Sequence, residues 1–470
     1  MGETTKRGRA PAGGDERRPG SGRRTRRVAL AAGAALGWAT LAACAPGGGA
    51  GRAGGGETDT KNHPPVKLST NIQNSASSQW PAYDAADKAI RAKYPWMSVE
   101  WLGGATSSFD GMAKLVVDAS AGTLPDIVYA QGSQIQYYIS NKIVVPVSQY
   151  LNKDKSFDLA DFPKVAVDMY SRAGQIFAIP YDHGPNMLWY NADLFQKNGV
   201  PAPTDRWTWD DVTDAARKLT NEAQGQWGLL DGGPAAGWAM ASYLGPWGGE
   251  WVDESESRTG ITGNGSLQAM QYWTDLFFKH KVNPVPGTYQ GTSDELFLQG
   301  KVGMRLGGPW TYRGWIGKLN FEAPIANWPL GPTGKRVSAS MGSGYPITTN
   351  SKNRDEAWLF LAELLGKDPD RSILWQFVKT GLGTPCRASA MKELEKSKFA
   401  MPNVQIVVPA SGYSALGRPI SPVKFELDKV WTEERDKLLK QQVAPKEFVD
   451  SVARRVQPLL DGNKGWDAAK

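Results

Sequence analysis

Strand patterns alternate with helix patterns along most of the chain, and this alternation limits the possible folds more than any other feature. Residues 66–70 and 99–102 have strand patterns, whereas residues 81–94 and 109–120 have the apolar spacing of amphipathic helices. Such an order predicts an α/β fold in which helices cover the faces of the sheets.

The first 43 residues predict an export signal. Residues 28–42 form an apolar run of small residues, shorter than the roughly 20 residues that span a bilayer. Residues 25–28 (TRRV) resemble a twin-arginine signal, although the general secretory route stays open. Residues 41–44 (LAAC) resemble a bacterial lipobox, which predicts cleavage before Cys44 and a lipid on it. We therefore expect a bacterial lipoprotein on the outer face of the cytoplasmic membrane.

The export signal also explains the basic charge of the chain. Residues 1–43 contain nine Lys or Arg and three Asp or Glu, and so carry six of the seven net positive charges. The remainder is nearly neutral, which gives no support to nucleic-acid binding. Residues 44–65 are rich in glycine and predict a flexible tether about 25 Å long. The other cysteine, Cys386, has no histidine beside it, and we expect a buried, inert thiol.

Tryptophan is unusually frequent, at 19 of 470 residues. Several tryptophans lie in loop-like segments rich in glycine or proline, among them Trp80, Trp238, Trp247 and Trp310. An aromatic face can pack on the C–H face of a sugar ring, while nearby polar side chains bind the hydroxyls. We expect at least two of these tryptophans to contact a ligand.

Trp310 has the most informative local context. Thr292 and Glu295 have capping-box spacing for a helix that Gly300 ends. A short strand follows, and residues 308–310 (GPW) then form a strand-to-helix turn, where α/β proteins place ligand-binding groups. The alternative is that Trp310 is a core aromatic and the glycines only form a turn.

Motifs typical of enzymes are not found in the sequence. The three histidines lie in no metal-binding spacing, and no nucleotide loop or GxSxG motif occurs, so we expect no metal, cofactor or catalytic residue. Acidic residues cluster at Glu250, Asp253, Glu254 and Glu256, for which a solvated loop is the simpler interpretation. A secreted hydrolase with two carboxylates stays open as an alternative, and so does a surface adhesin.

A series of short motifs resembles the extracellular solute-binding proteins of ABC importers, in the family-1 sugar-binding group that includes the maltose-binding protein. The motifs are residues 93–95 (KYP), 119–127 (ASAGTLPDI), 178–180 (AIP), 190–195 (YNADLF), 199–201 (GVP), 208–211 (TWDD), 300–304 (GKVGM) and 308–310 (GPW). The resemblance implies a two-lobe fold of the periplasmic-binding-protein type II, with the ligand cleft at the hinge.

The same resemblance implies how the lobes are divided along the chain. Lobe 1 is expected to comprise residues 66–182 and 328–390, and lobe 2 residues 183–327 and 391–470. The chain should cross between them near residues 181–185, 323–328 and 390–394.

By that resemblance the ligand-binding residues are expected at Trp310, Trp238, Tyr413, Trp80, Gln131, Ser133, Asp182, Trp247, Gly342 and Ser343. The implied ligand is a sugar or oligosaccharide, and the implied partners are the permease subunits of an importer and the membrane through Cys44. We expect a monomer without catalytic activity.

Overall fold

A computed structural model of the chain describes residues 63–73, 79–105, 109–231, 237–417 and 420–463. The predicted export signal, Cys44 and the tether up to residue 62 lie outside the described residues. Within the described ranges, no helix combines the length and the apolar character that a membrane crossing requires.

The helices are numbered in chain order. They are α1 (Trp80–Lys93), α2 (Phe109–Ala121), α3 (Ile135–Ser140), α4 (Ser148–Lys153), α5 (Lys164–Asp168), α6 (Ala192–Lys197), α7 (Trp209–Leu219), α8 (Met240–Leu244), α9 (Asn264–Phe278), α10 (Ser293–Leu298), α11 (Arg354–Leu364), α12 (Ile373–Thr380), α13 (Ala388–Leu394), α14 (Val407–Ala410), α15 (Lys424–Leu439) and α16 (Pro445–Gly462).

The strands are mostly short. They are β1 (Val66–Gln73), β2 (Met97–Ala105), β3 (Ala130–Gln131), β4 (Ser171–Arg172), β5 (Gln175–Ile176), β6 (Ile179–Pro185), β7 (Met187–Tyr190), β8 (Trp227–Leu230), β9 (Val302–Gly307), β10 (Ile325–Ala326), β11 (Ser338–Tyr345) and β12 (Ser414–Leu416). The predicted mixture of strands and helices is therefore present.

Local signals in the sequence explain where several elements begin and end. The predicted capping box is formed, because the side chain of Thr292 accepts from the backbone N–H of Glu295 and the Glu295 carboxylate accepts from that of Thr292. Helix α10 then stops at Gly300, whose φ of +69° suits glycine. After β9, Pro309 opens a 3₁₀ turn, Pro309–Gly314, rather than the predicted α-helix.

Two sheets and one long strand pair organise the chain. One sheet has the order β10-β7-β9-β8, in which β8 runs parallel to β9. The other has the order β12-β11-β3, and β6 pairs antiparallel with β11 along nearly its whole length. Strands β1 and β2 form a separate parallel pair.

Four apolar clusters pack around these sheets. The first core surrounds Tyr83, Tyr345 and Trp358, and the second core surrounds Trp209, Trp273 and Trp328. A third cluster, around Trp189 and Trp315, includes residues of β7 and β9, and a fourth, around Tyr138, Tyr170 and Met341, lies beside β3.

The clusters bear on where the chain crosses between lobes. Strand β6 coincides with the first expected crossing. Trp328, at the second expected crossing, packs edge to face on Trp209 with ring centroids 5.3 Å apart, inside the second core. We therefore propose that the second crossing lies in β11. In α13, Ala390 belongs to the first core whereas Met391 belongs to the third cluster, and the third crossing near residues 390–394 stays a proposal.

Arg387, just before α13, is the most fully buried cation of the first core, at 1% exposure. Its guanidinium lies 3.2 Å from the carboxylate of Asp161 and donates to the carbonyls of Asp158 and Leu365. The ring of Phe162 lies 4.4 Å from the guanidinium carbon. These contacts connect the beginning of α13 with the segment before α5.

The Arg387→Met variant should lower the free energy of unfolding by about 3 kcal/mol or more, because it removes the cation from the largely buried Asp161 carboxylate and the donor from two backbone carbonyls. Urea unfolding monitored by tryptophan fluorescence would measure the change. Lys396→Met is the control, since that lysine forms an exposed pair with Glu393 and should change stability by less than about 0.5 kcal/mol. An equal effect of both substitutions would contradict the prediction.

Candidate functional site

Asp182 lies at the centre of the pairing between β6 and β11. It stands opposite Ser343, where the register of the two strands shifts. The backbone N–H of Ser343 donates to the Asp182 carboxylate at 2.6 Å. The carboxylate is thereby held in one orientation by a neighbouring strand, which leaves further lone pairs available to a ligand.

The electrostatic environment of Asp182 is that of a group withdrawn from water. Burial raises the pKa of Asp182 to about 6, while the positive charge of Arg313 and the N–H of Ser343 act in the opposite direction. The carboxyl is therefore ionised at neutral pH and protonated in mild acid.

A tyrosine-rich layer lies beside this carboxylate. The hydroxyls of Tyr129 and Ser343 are 3.1 Å apart, and the side chain of Gln131 also reaches the Tyr129 hydroxyl. Burial, reinforced by the charge of Asp182, raises the pKa of Tyr129. Its hydroxyl therefore keeps its proton and can serve as a donor.

The turn after β9 supplies an aromatic face to the same place. Pro309 lies so close to Gly184 of β6 that a Cβ at Gly184 would be 2.6 Å from its ring and 3.7 Å from the indole of Trp310. Trp310 is partly exposed and packs against the fourth cluster. Trp310 therefore packs on a core, as the alternative predicted, but part of its ring stays exposed. The positive charge of Arg313, on the same turn, lowers the pKa of Asp182 against the effect of burial.

We call the six residues Tyr129, Gln131, Asp182, Trp310, Arg313 and Ser343 the central site. They combine one carboxylate, one guanidinium, three hydroxyl or amide groups and one indole face, which suits a hydroxyl-rich ligand with an apolar side. Among the described residues, no three His, Cys, Asp or Glu side chains gather closely enough to hold a metal ion.

The other predicted site residues are distributed over several places. Trp80 is 39% exposed at the start of α1, edge to face with Trp101. Ser133 is buried in the 3₁₀ turn after β3. The carbonyl of Gly342 accepts from the hydroxyl of Tyr170, and Gly342 pairs with His183 of β6. Contacts of Trp80, Ser133 and Gly342 with a ligand remain proposals.

Three further aromatic predictions, Tyr413, Trp247 and Trp238, also remain proposals. The hydroxyl of Tyr413 donates to Asn327 at 2.7 Å. Trp247 is buried in the second core, with its ring 4.9 Å from that of Tyr272, and this position does not favour ligand contact. Trp238 belongs to the turn Gly237–Ala239, but its side chain lies outside the described part of the chain.

Sequence reasoning missed two members of the central site, Tyr129 and Arg313. A weak signal existed for each, since Tyr129 precedes Gln131 by two residues and Arg313 follows Trp310 by three. Neither spacing shows that the two side chains come near the same carboxylate, because that depends on how β3, β6 and the turn after β9 assemble.

Two other predictions can be compared with the structure. Cys386 is buried, and burial raises the pKa of its thiol, which agrees with an inert cysteine. The acidic loop is less solvated than expected: Glu256 is 2% exposed and accepts from the backbone N–H of Ile420. Asp253 accepts backbone N–H groups of the same loop, so these carboxylates stabilise the loop itself.

Comparison with known proteins identifies relatives over most of the folded chain. Residues 77–370 match the model of the family described as bacterial extracellular solute-binding protein. A binding protein of Brucella abortus is 26% identical over 302 residues, which cover 61% of this chain and 69% of that protein. The lactose-binding protein of Rhizobium radiobacter is 27% identical over 264 residues, covering 53% of this chain and 58% of the relative.

Solved structures show the same fold. The ABC substrate-binding protein from Listeria monocytogenes in complex with cycloalternan superimposes with a TM-score of 0.75 at 19% identity, covering 84% of this chain and 99% of that one. The predicted fold class, an α/β fold of the periplasmic-binding-protein type II, is thereby confirmed. The chain belongs to the family of bacterial extracellular solute-binding proteins.

Proposed function

We propose that this protein binds a sugar or an oligosaccharide at the central site and delivers it to the permease of an ABC importer. The observation that carries the proposal is that the fixed carboxylate of Asp182 and the partly exposed indole of Trp310 lie along the same strand, since Trp310 borders Gly184, two residues after Asp182 in β6. A sugar ring presents hydroxyls at its edge and C–H groups on its faces, and the two side chains match these features.

The relatives support the choice of a sugar over other solutes. One of them is a lactose-binding protein that shares 27% of the aligned residues. The charges at the central site agree, because Asp182 and Arg313 offset each other and leave a polar but nearly neutral surface. A neutral polyol is suited to such a surface because it brings no charge that would have to be buried.

Binding without hydrolysis is also part of the proposal. A glycosidase of the usual kind needs two carboxylates about 5 to 10 Å apart. At the central site, the charged side chain that shifts the pKa of Asp182 is the guanidinium of Arg313, not a second carboxylate. The family likewise comprises solute-binding proteins.

The cellular location completes the proposed function. The family consists of extracellular proteins, and the lipobox pattern at residues 41–44 supports lipid attachment to Cys44. A glycine-rich tether would then let the folded part turn toward a permease in the same membrane.

Replacing Trp310 by alanine should weaken sugar binding by about 2 kcal/mol, roughly a thirtyfold increase in Kd, because the indole is a large aromatic contact. A thermal-shift screen of lactose, maltotriose and galactooligosaccharides would select the sugar, and calorimetry would measure its Kd. Recovery of the sugar intact after incubation separates binding from hydrolysis. Trp207→Ala is the control, since that indole stacks on Phe195 beside the second core.

Absence of stabilisation by any of the sugars would count against the proposed function. Equal Kd values for the wild type and Trp310→Ala would instead remove only Trp310 from the binding site.

Sugar affinity should fall as the pH decreases from 7.5 to 5. Because the pKa of Asp182 is raised to about 6, its carboxylate is ionised at the upper pH and mostly protonated at the lower one, where the charged acceptor is lost. Asp182→Asn should bind more weakly at pH 7.5 and show little change with pH. His183 does not interfere, because burial lowers its pKa to about 4. A wild-type Kd that stays constant over this interval would contradict the role of Asp182.

The Cys44→Ala variant should lose its lipid, because the modified thiol is absent. Metabolic labelling with a fatty-acid analogue, followed by separation of membrane from medium, would measure both attachment and release. Label that persists in the variant would show that the anchor is not on Cys44.

A further inference from the structure

The hydroxyl of Tyr170 connects two strands that carry residues of the central site. It lies 3.0 Å from the carbonyl oxygen of Ala130 in β3 and 3.0 Å from that of Gly342 in β11. The Tyr170 side chain comes from the segment after α5 and is fully buried, at 0% exposure. Its single hydroxyl proton is therefore shared between backbone carbonyls of two neighbouring strands.

The two carbonyls directly precede polar residues of the central site. Ala130 comes before Gln131, and Gly342 comes before Ser343. In the sheet, Ser343 is paired with Gln131 on one side and with Asp182 on the other. The hydroxyl thus holds the backbone immediately before two of the three residues that meet in this row.

Two glycines make room for the side chains of Met169 and Tyr170. A Cβ at Gly344 would lie 3.1 Å from Cζ of Tyr170, and a Cβ at Gly132 would lie 1.7 Å from the sulfur of Met169. Both side chains therefore pack directly on the backbone beside β3 and β11, where a larger residue than glycine would clash. Such close packing leaves the Tyr170 ring little freedom to move.

Strand β3 is too short to be held firmly by strand pairing. It comprises Ala130–Gln131 and pairs with β11 over these two residues. Two tyrosine hydroxyls supplement the pairing: Tyr138 donates to the carbonyl of Tyr129 at 3.3 Å, and Tyr170 contacts the next carbonyl. Of these two hydroxyls, that of Tyr170 also reaches β11. The position of β3 against β11 therefore depends on Tyr170 as well as on strand pairing.

We propose that Tyr170 is a positioning residue of the sugar-binding site, whose hydroxyl fixes the side chain of Gln131 relative to Ser343 and Asp182. The inference rests on the proposed function and adds to it a residue that does not touch the ligand. An amide and a carboxylate bind one sugar together only when their separation matches its hydroxyls. Loss of the Tyr170 hydroxyl should therefore reduce affinity although every ligand-contacting group remains.

The Tyr170→Phe variant removes the hydroxyl and keeps the ring that packs on Gly344. With the sugar that stabilises the wild type most among lactose, maltotriose and galactooligosaccharides, calorimetry should show an increase in Kd of about fivefold, as expected for loss of one neutral hydrogen bond. Tyr272→Phe is the matched control, because its hydroxyl also donates to a backbone carbonyl, that of Trp209, at 2.9 Å beside the second core. It should leave Kd unchanged.

A double-mutant cycle with Gln131→Ala distinguishes positioning from a structural role. Gln131→Ala should itself weaken binding, and adding Tyr170→Phe to it should raise Kd much less than in the wild-type background, because the side chain to be positioned is gone. Equal effects of Tyr170→Phe in both backgrounds, or a Kd that Gln131→Ala leaves unchanged, would overturn the inference.

Thermal unfolding of the ligand-free proteins completes the comparison. Tyr170→Phe and Tyr272→Phe should lower the Tm to similar extents, because each variant loses a hydrogen bond to a backbone carbonyl. A larger decrease in Tm for Tyr170→Phe together with additive effects in the cycle would identify a structural residue and overturn the inference.

The outcomes separate this inference from the proposed function. Sugar binding by the wild type with the same Kd in Tyr170→Phe would overturn the positioning role and leave the proposed function intact. An equal increase in Kd for Tyr272→Phe would show that the effect is not specific to the central site, which also overturns the inference. Failure of the wild type to bind any of the sugars would overturn the proposed function and this inference with it.

Discussion

The pairing of β6 with β11 is the interaction on which the rest of the structure depends. The two strands approach so closely that a Cβ at Gly342 would lie 2.5 Å from the carbonyl oxygen of Asp182. The side chains of His183 and Ser340 add a buried hydrogen bond between the strands. Tyr181 and Tyr345, one from each strand, stack in the first core with centroids 5.1 Å apart. The pair therefore connects the central site directly to the first core.

That connection explains how the carboxylate of Asp182 can be pre-oriented for a ligand. Asp182 is held by both the backbone N–H and the side chain of Ser343, so little rotational freedom remains to be lost on binding. Its charge is offset by that of Arg313, which lies on the 3₁₀ turn after β9. Because the two groups belong to separate elements, their distance and the affinity of the site depend on how these elements pack.

Contacts around the fourth cluster suggest how a ligand would affect the protein as a whole. Trp310 follows a strand of the sheet formed by β10, β7, β9 and β8, yet packs against the fourth cluster. Phe425 does the same from α15, through Tyr137. Under the proposed function, a ligand that touches Asp182 and either of these elements would stabilise the packed arrangement by its differential affinity for it.

The sequence by itself determined the local elements and the fold class. Capping at Thr292, the stop at Gly300 and the turn that carries Trp310 depend on residues close together in the chain, whose preferences act over one or two helical turns. The ordered motifs added the family resemblance, which the comparisons confirmed. Element types were therefore largely predictable, whereas short strands such as β3 were not.

Only the tertiary structure decided which side chains meet. Ser343 faces Asp182 because of strand register, and Tyr129 and Arg313 join them from distant segments. Trp247, in a glycine-rich segment typical of a loop, is buried in the second core instead. The physical reason is that spacing along the chain reports near neighbours, while pairing between distant strands and burial of aromatic rings depend on the packing of the whole fold.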